Sequence, residues 1–537
     1  MNLLFGAGDS DHPLWLLAVR LNILVFLALL IALFAVSIVP WKPRLRTVLL
    51  PVTLTLLAAA LRFGLALPNI FDHGGVTYSR MLAGYRGYFA VAQLYSPLYR
   101  LFGRTVERAI LFNRLASTLT IPVLYSLGRK LAPDRALGPL AALLLATSPL
   151  TVQLAASTEL TPMSLLLAAS SYLLFIESWN ELSARQGRLC WLAALAGLAL
   201  LTQVRYENLL FLLPPALWAI ARRPPRWTVF QSISLSLFAL LIGSYVGAAI
   251  AAGPEHNPVD VPAGIRAARA VLASPFTLAP LLLAATVFTA VRRRGSWGLY
   301  TLLPWLAVTL LIVYTSPRPH HAARVFANWM LLFALIAGDA LSSLLMSRSQ
   351  AAKAIAILVI ASVVLSPVLF FENLHYRYAD IAERDAYVGG IARLPDSVRT
   401  LIVPDDERAR RANGSSWEAL VKYESDANAV MNRPLNIVGM TEFLEHPDAN
   451  GCDVSGRCAL FIGLPCLEPE SYWVAVDECR ELASRCRLRT LFTEAIESAP
   501  YIRCSIFTGG ERQRTCEPHV RPYPFSFAAI EGCSEAH

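Results

Sequence analysis

Twelve runs of mostly apolar residues fill positions 14–371, and they constrain the fold more than any other feature. They are 14–39, 47–67, 110–131, 136–152, 160–177, 189–203, 206–221, 230–252, 273–291, 297–315, 324–346 and 352–371. A bilayer core takes about 20 such residues per helix. The expectation is therefore a polytopic α-helical membrane protein with twelve spans. Several runs are short, and 189–203 with 206–221 also reads as one broken or re-entrant element. Only 16% of the 537 residues are charged, and this poverty is confined to the runs; a soluble protein carries about 25%. Residues 372–537 have an ordinary soluble composition. Two regions follow, a membrane domain at 1–371 and a water-facing C-terminal domain at 372–537.

The net charge is +9. The basic residues sit in short clusters between apolar runs, with no RGG tract and no basic–aromatic stripe, so no nucleic-acid partner is expected. The clusters instead orient the spans. "WKPRLR", "GRKLAPDR", "SARQGR", "ARRPPRW", "VRRRGS" and "SRSQAAK" all fall on one side of a twelve-span arrangement. That side is the cytoplasm. The acidic N-terminus and the C-terminal domain then fall outside, as expected of a multi-pass protein of the plasma (inner) membrane with a periplasmic or extracellular domain. The first run lacks a basic leader and a small-residue cleavage site, so it is read as a retained helix.

Eight of nine cysteines lie in the C-terminal domain, at 452, 458, 466, 479, 486, 504, 516 and 533. No CxxC occurs, which argues for up to four disulfides in an oxidising compartment rather than a zinc site. Eight cysteines allow 105 connectivities, and the sequence does not choose among them. "RTLIVP", "LNIVGM", "ALFIGL", "RTLFTEAI" and "RCSIFT" read as strands, with helices at "SSWEALVKYESDANAVM" and "ESYWVAVDECRELASRC". The alternation suggests a small α/β layer.

The polar residues of the membrane domain gather at the outer turns. The outer loop 68–109 holds Asp72, His73, Tyr78, Arg80, Arg86 and Tyr95; later turns hold Glu159, then Arg205 and Glu207, then Glu255, His256 and Asp260, then Arg318, His320, His321 and Arg324. Ionisable groups at membrane depth are costly and point to function. The tyrosines of the first loop suit interfacial anchoring, and Arg20 in the first run suits snorkelling or pairing with a neighbouring helix.

"YSPLYRLFG" with "FNRLASTLTIPVLYSLGRKLA", then "GPLAALLLATSPLTVQLAASTELTPMSLLLAASSYLLF", then "LAGLALLTQVRYENLLFLLP" resembles the C-type membrane glycosyltransferase superfamily over roughly 47–220, with a weaker echo around 318–335. Relatives include the dolichyl-phosphate-mannose–protein mannosyltransferases and the lipid A aminoarabinose transferases. The resemblance implies an inverting transfer of a sugar from a polyprenyl-phosphate donor to an acceptor on the outer face. By that resemblance Asp72 takes the place of the catalytic carboxylate and Glu159 that of the acid in the second hairpin. Arg205 matches the arginine of an "LTR-x-E" turn, with Glu207 as its orienting partner, and Arg324 resembles the arginine that meets the carrier phosphate. Many relatives carry two adjacent acids in the first loop. Here the second is His73, placed to tune Asp72 or to bind the acceptor. That departure argues against a requirement for a divalent metal, and no cofactor is expected.

Each residue has a plainer structural role beside the functional one. Asp72 and Glu159 could cap the helices that follow them. Arg205 and Glu207 could form a structural ion pair, and Arg324 could snorkel to head groups. Two other functions fit the composition: a secondary transporter, disfavoured because the halves are not alike, and a non-catalytic membrane scaffold or receptor that binds through its C-terminal domain.

Overall fold

The structure is a computed structural model. It describes residues 13–37, 45–69, 98, 101–102, 105–180, 185–204, 206–222, 229–251, 261–293, 296–315, 319–375, 378–404, 423–424, 426–427, 430–431, 434–446, 452, 456–467, 477–498 and 520–533. Each expected apolar run overlaps described helix. The helices are α1 (Pro13–Ser37), α2 (Leu45–Ala59), α3 (Val106–Leu131), α4 (Leu137–Thr147), α5 (Pro149–Ala155), α6 (Thr161–Asn180), α7 (Arg185–Val204), α8 (Leu213–Arg222), α9 (Val229–Ala251), α10 (Val261–Ala273), α11 (Ala279–Arg293), α12 (Ser296–Thr315), α13 (Pro319–Asn328), α14 (Met330–Leu345) and α15 (Gln350–Leu369). Four described helices are long and apolar enough to cross a membrane, or six when each of two bent pairs is taken as one span.

Three of the expected spans differ in detail. The run 136–152 is broken at Ser148, where α4 and α5 meet at 61°. The cause is local: Pro149 has no N–H and cannot continue the ladder. The run 324–346 belongs to α13 and α14, which meet at a 59° bend. The 206–221 run opens as a 3₁₀ turn, Tyr206–Leu212, before α8. Helix α10 was not expected at all; its buried face is Gly264, Ala267, Ala268 and Val271, and it packs on α12 and α13.

The core of this region runs through α3, α4, α6, α7 and α14. α3 is opened by Thr105, whose side chain accepts from the Arg108 N–H, and closes on Arg129 and Lys130, an arrangement that suits the helix dipole. α1 packs on α7. Its Arg20 is buried, which favours the pairing role over snorkelling, and Asn22 donates to Gln203 Oε1 at 3.2 Å.

After the short helix α16 (Phe371–His375) the chain enters α17 (Ala379–Ile391) and a mixed sheet. The strands are β1 (Thr400–Val403), β2 (Asn436–Gly439), β3 (Cys458–Ile462), β4 (Cys486–Ser498) and β5 (Arg521–Cys533), in the order β2-β1-β3-β5-β4. β2, β1 and β3 are parallel, and β5 is antiparallel to β3 and β4. Alternation along β1 and β3 sends Leu401, Val403, Ala459 and Phe461 toward α17. Ile402 and Leu460 point the other way, onto Phe443 and Leu482. Three disulfides are formed, Cys452–Cys458, Cys466–Cys479 and Cys486–Cys533; Cys504 and Cys516 lie outside the described residues, as does "RCSIFT".

Candidate functional site

The site is built from three turns. The first joins α5 to α6 and carries Glu159; every residue from Thr147 to Pro162 is buried. The second is the 3₁₀ turn after α7, with Glu207. The third is α13, with Arg324. Hydrogen bonds and a ring stack draw these turns together. Asn208 donates to Ser164 Oγ at 3.3 Å and to the Leu201 carbonyl at 2.9 Å, which fastens the second turn to the first turn of α6. The Tyr172 hydroxyl donates to the Phe211 carbonyl at 2.7 Å. Phe211 stacks on Trp329, one residue past α13, with ring centroids 5.1 Å apart.

Glu159 and Arg324, far apart in the chain, meet here. Arg324 Nη1 lies 3.5 Å from Glu159 Oε1. Glu159 is 0% exposed and Arg324 9%, so Arg324 does not snorkel and Glu159 faces a cation. A contact of 3.5 Å is long for a charge-assisted hydrogen bond. The carboxylate balances the guanidinium charge without locking it in a two-pronged grip.

The turn itself is held by neutral groups. Asn113 on α3 donates from Nδ2 to the carbonyls of Ser157 (2.7 Å) and Glu159 (2.8 Å). The Glu159 N–H donates to Ser157 Oγ at 3.2 Å. Asn69 donates from its backbone to the Ala156 carbonyl at 2.9 Å and from Nδ2 to the Gln153 carbonyl at 3.3 Å. Gln153 in turn donates to the Tyr378 hydroxyl at 3.4 Å, so the entrance to the C-terminal region is bonded to the same turn.

Of the residues singled out from sequence, Glu159 and Arg324 are brought together, and Glu207 lies on the adjoining 3₁₀ turn, half-buried. Asp72, His73 and Arg205 lie outside the described residues, as do Glu255, His256, Asp260 and the first-loop tyrosines. Among the described residues no group of three His, Cys, Asp or Glu side chains is arranged to hold a metal ion. Sequence reading missed Asn69, Asn113 and Gln153. An amide that grips backbone carbonyls leaves no pattern in the sequence, because any neighbour presents a carbonyl.

The profile of the family described as dolichyl-phosphate-mannose-protein mannosyltransferase matches residues 89–247, a stretch that contains Asn113, Glu159 and Glu207. The chain thus resembles the C-type membrane glycosyltransferases. Among solved structures it is similar to ArnT from Cupriavidus metallidurans in the apo state, with 12% identity, 90% of this chain and 97% of that chain covered, and a TM-score of 0.48. ArnT from the same organism bound to undecaprenyl phosphate gives 12% identity, coverage of 91% and 98%, and the same score. No curated protein is significantly similar to the chain.

Proposed function

We propose that the chain transfers a sugar from a polyprenyl-phosphate donor to an acceptor at the outer face of the plasma (inner) membrane. In this reading it spans the bilayer twelve times, with 1–371 as the transferase domain and 372–537 outside. The observation that carries the reading is that the mannosyltransferase-like stretch 89–247 contains a buried acid, Glu159, drawn against an arginine from outside that stretch, Arg324.

The chemistry needs a base, a cation and access from the bilayer. Asp72 is the proposed base. It follows Asn69, which is anchored on the Glu159 turn, by three residues. Its carboxylate takes the acceptor hydroxyl proton as the oxygen attacks the anomeric carbon. The new C–O bond forms as the bond to the phosphate oxygen breaks, with inversion. The lipid phosphate leaves with its electron pair, and Arg324 and Arg205 stabilise the growing charge. Glu159 holds the charge of Arg324 in balance until a phosphate competes for it. Glu207 orients Arg205, and His73 contacts the acceptor or tunes Asp72. No step assigned to these residues calls for a metal.

The test is transfer of radiolabel from a panel of polyprenyl-phosphate sugars in membranes, with wild type and Asp72→Asn at matched expression. The expected result is transfer by wild type and a loss of about 10²–10⁴-fold in the variant, the range that general-base catalysis supplies. Equal transfer by both would remove Asp72 from the role. No transfer by either would favour a scaffold over an enzyme.

A further inference from the structure

Arg62 is fully buried, at 0% exposure, inside an apolar span. No carboxylate lies within ion-pair distance of it among the described residues, yet a charge at that depth is costly and signals a task. Its partners show what the task is. Nη1 donates to the Ala146 carbonyl at 3.0 Å and to the Ala58 carbonyl at 3.2 Å; Nη2 donates to Leu145 at 3.2 Å; Nε donates to Ser117 Oγ at 2.6 Å.

Leu145 and Ala146 are the carbonyls stranded by the α4–α5 break. The ladder of α4 ends with the Ser148 N–H on the Leu144 oxygen at 3.1 Å. In an unbroken helix Leu145 would accept from residue 149, but that residue is proline. Side chains replace the missing donors. Leu145 accepts from Arg62 and from Thr151 Oγ1 at 2.9 Å, Ala146 from Arg62, and Thr147 from Ser366 Oγ at 3.1 Å. Without water, stranded carbonyls in a span need such partners. They also carry the negative end of the α4 dipole, which a guanidinium suits.

The clasp reaches the candidate site through α3. Ser117, which accepts from Arg62, and Asn113, which grips Ser157 and Glu159, stand one helical turn apart on the same face. One rung fixes the start of the buried turn and the other fixes its apex. Arg62 itself sits in a π turn, Ala60–Leu65, a local widening often found at functional sites.

We infer that Arg62 is a positioning residue of the transfer site: it stabilises the bend at Ser148–Pro149 and so sets where Glu159 meets Arg324. This rests on the sugar-transfer reading for its consequence but not for its geometry.

The test compares wild type, Arg62→Met, Arg62→Lys and Arg62→Met with Pro149→Ala, in nanodiscs, by thermal midpoint, kcat and KM for a radiolabelled polyprenyl-phosphate sugar, and hydrogen exchange of 148–161. Arg62→Met is expected to lose about 100-fold in kcat, the scale of a 1 Å misplacement, and to lose protection across 148–161. Arg62→Lys keeps the charge without the planar fork and falls between. Adding Pro149→Ala restores a donor to Leu145, so the midpoint recovers while kcat stays low, because the bend is relieved. Recovery of kcat together with the midpoint would overturn the inference, since Arg62 would then supply stability alone. So would transfer by Arg62→Met within about twofold of wild type, far short of a misplacement effect. Should wild type transfer no sugar in the panel, the transfer reading fails by itself. The exchange data then decide the geometry: lost protection at 148–161 in Arg62→Met supports the clasp, and retained protection overturns it.

Discussion

Two arginines, one fully buried in the helical region and one half-buried in the sheet region, solve the same problem differently. Arg62 in the helical region is surrounded by backbone carbonyls and a hydroxyl. Arg384, on α17 beside the sheet, is gripped by carboxylates: Nε and Nη2 donate to Asp426 at 3.0 and 3.1 Å, and Nη1 donates to Glu107 at the start of α3. Burial alone would lower the Arg384 pKa, but Asp426 and then Glu107 outweigh it and hold the pKa above its ordinary value. The surfaces differ in the same way. Among the described residues, all but two of the exposed large hydrophobic side chains lie at or before Phe371; the exceptions are Val430 and Val520. The helical region turns its apolar side chains outward and satisfies polar groups within its own backbone, as a chain in lipid must. The sheet region buries apolar side chains and meets water with charge.

The sharpest way to break this contrast is at the one buried ion pair described in the helical core. Arg324→Ala removes the described cation from the buried Glu159 carboxylate, and is expected to cost about 3–5 kcal/mol, with loss of transfer. Replacing both, as Arg324→Met with Glu159→Gln, should recover most of the thermal midpoint and none of the transfer. In the sheet region the matching change is Cys486→Ser with Cys533→Ser. Chain-entropy bookkeeping for a loop of this size gives a loss of about 4 kcal/mol. It should appear as early melting of the sheet while the helical signal holds. Leu358→Lys tests the outward apolar surface: Leu358 is 67% exposed. The change should penalise membrane insertion by about 2.5–3.5 kcal/mol if the site lies mid-bilayer, read as reduced integration during translation. Asp426→Asn removes the two-pronged partner of Arg384 and should cost about 1.5–3 kcal/mol in the midpoint of the sheet region. Smallest is Glu107→Gln. Its side chain is 66% exposed, and a solvated pair is worth only about 0.2–1 kcal/mol.

The expected spans were legible because each carries its own apolar run, and four strands because their apolar residues alternate or cluster between turns; α10, with Arg266 and Arg269 among its apolar residues, was not. β5 was not among the expected strands, and its Pro522 and Pro524 disfavour strand pairing. The structure shows why they are tolerated: β3 pairs with β5 only from Ser526 to Ala529, so the prolines lie where, among the described residues, β4 is the sole neighbour. The Ser148–Pro149 break was visible as a proline near the end of an apolar run, yet an interior proline is also compatible with continuous helix, as at Pro122 of α3. At the site, Glu159 and Arg324 were each legible as polar residues at apolar margins. Their meeting was not, since nothing local in either segment encodes the other. Arg62 was visible as a lone arginine in the 47–67 run, but carbonyl partners have no residue identity to search for.

The position of β5 has a consequence for the timing of synthesis. This strand is the last of the five to be made, yet it belongs between β3 and β4. β4 therefore leaves the ribosome with no described strand to pair with, and Cys486 carries a thiol whose partner is still to come. The Cys452–Cys458 and Cys466–Cys479 bridges can close as soon as their short segments appear. An oxidant that acts before residue 533 emerges would find Cys479 only a few positions from Cys486. Correct maturation thus favours slow or reversible oxidation, with the long-range bridge closing last.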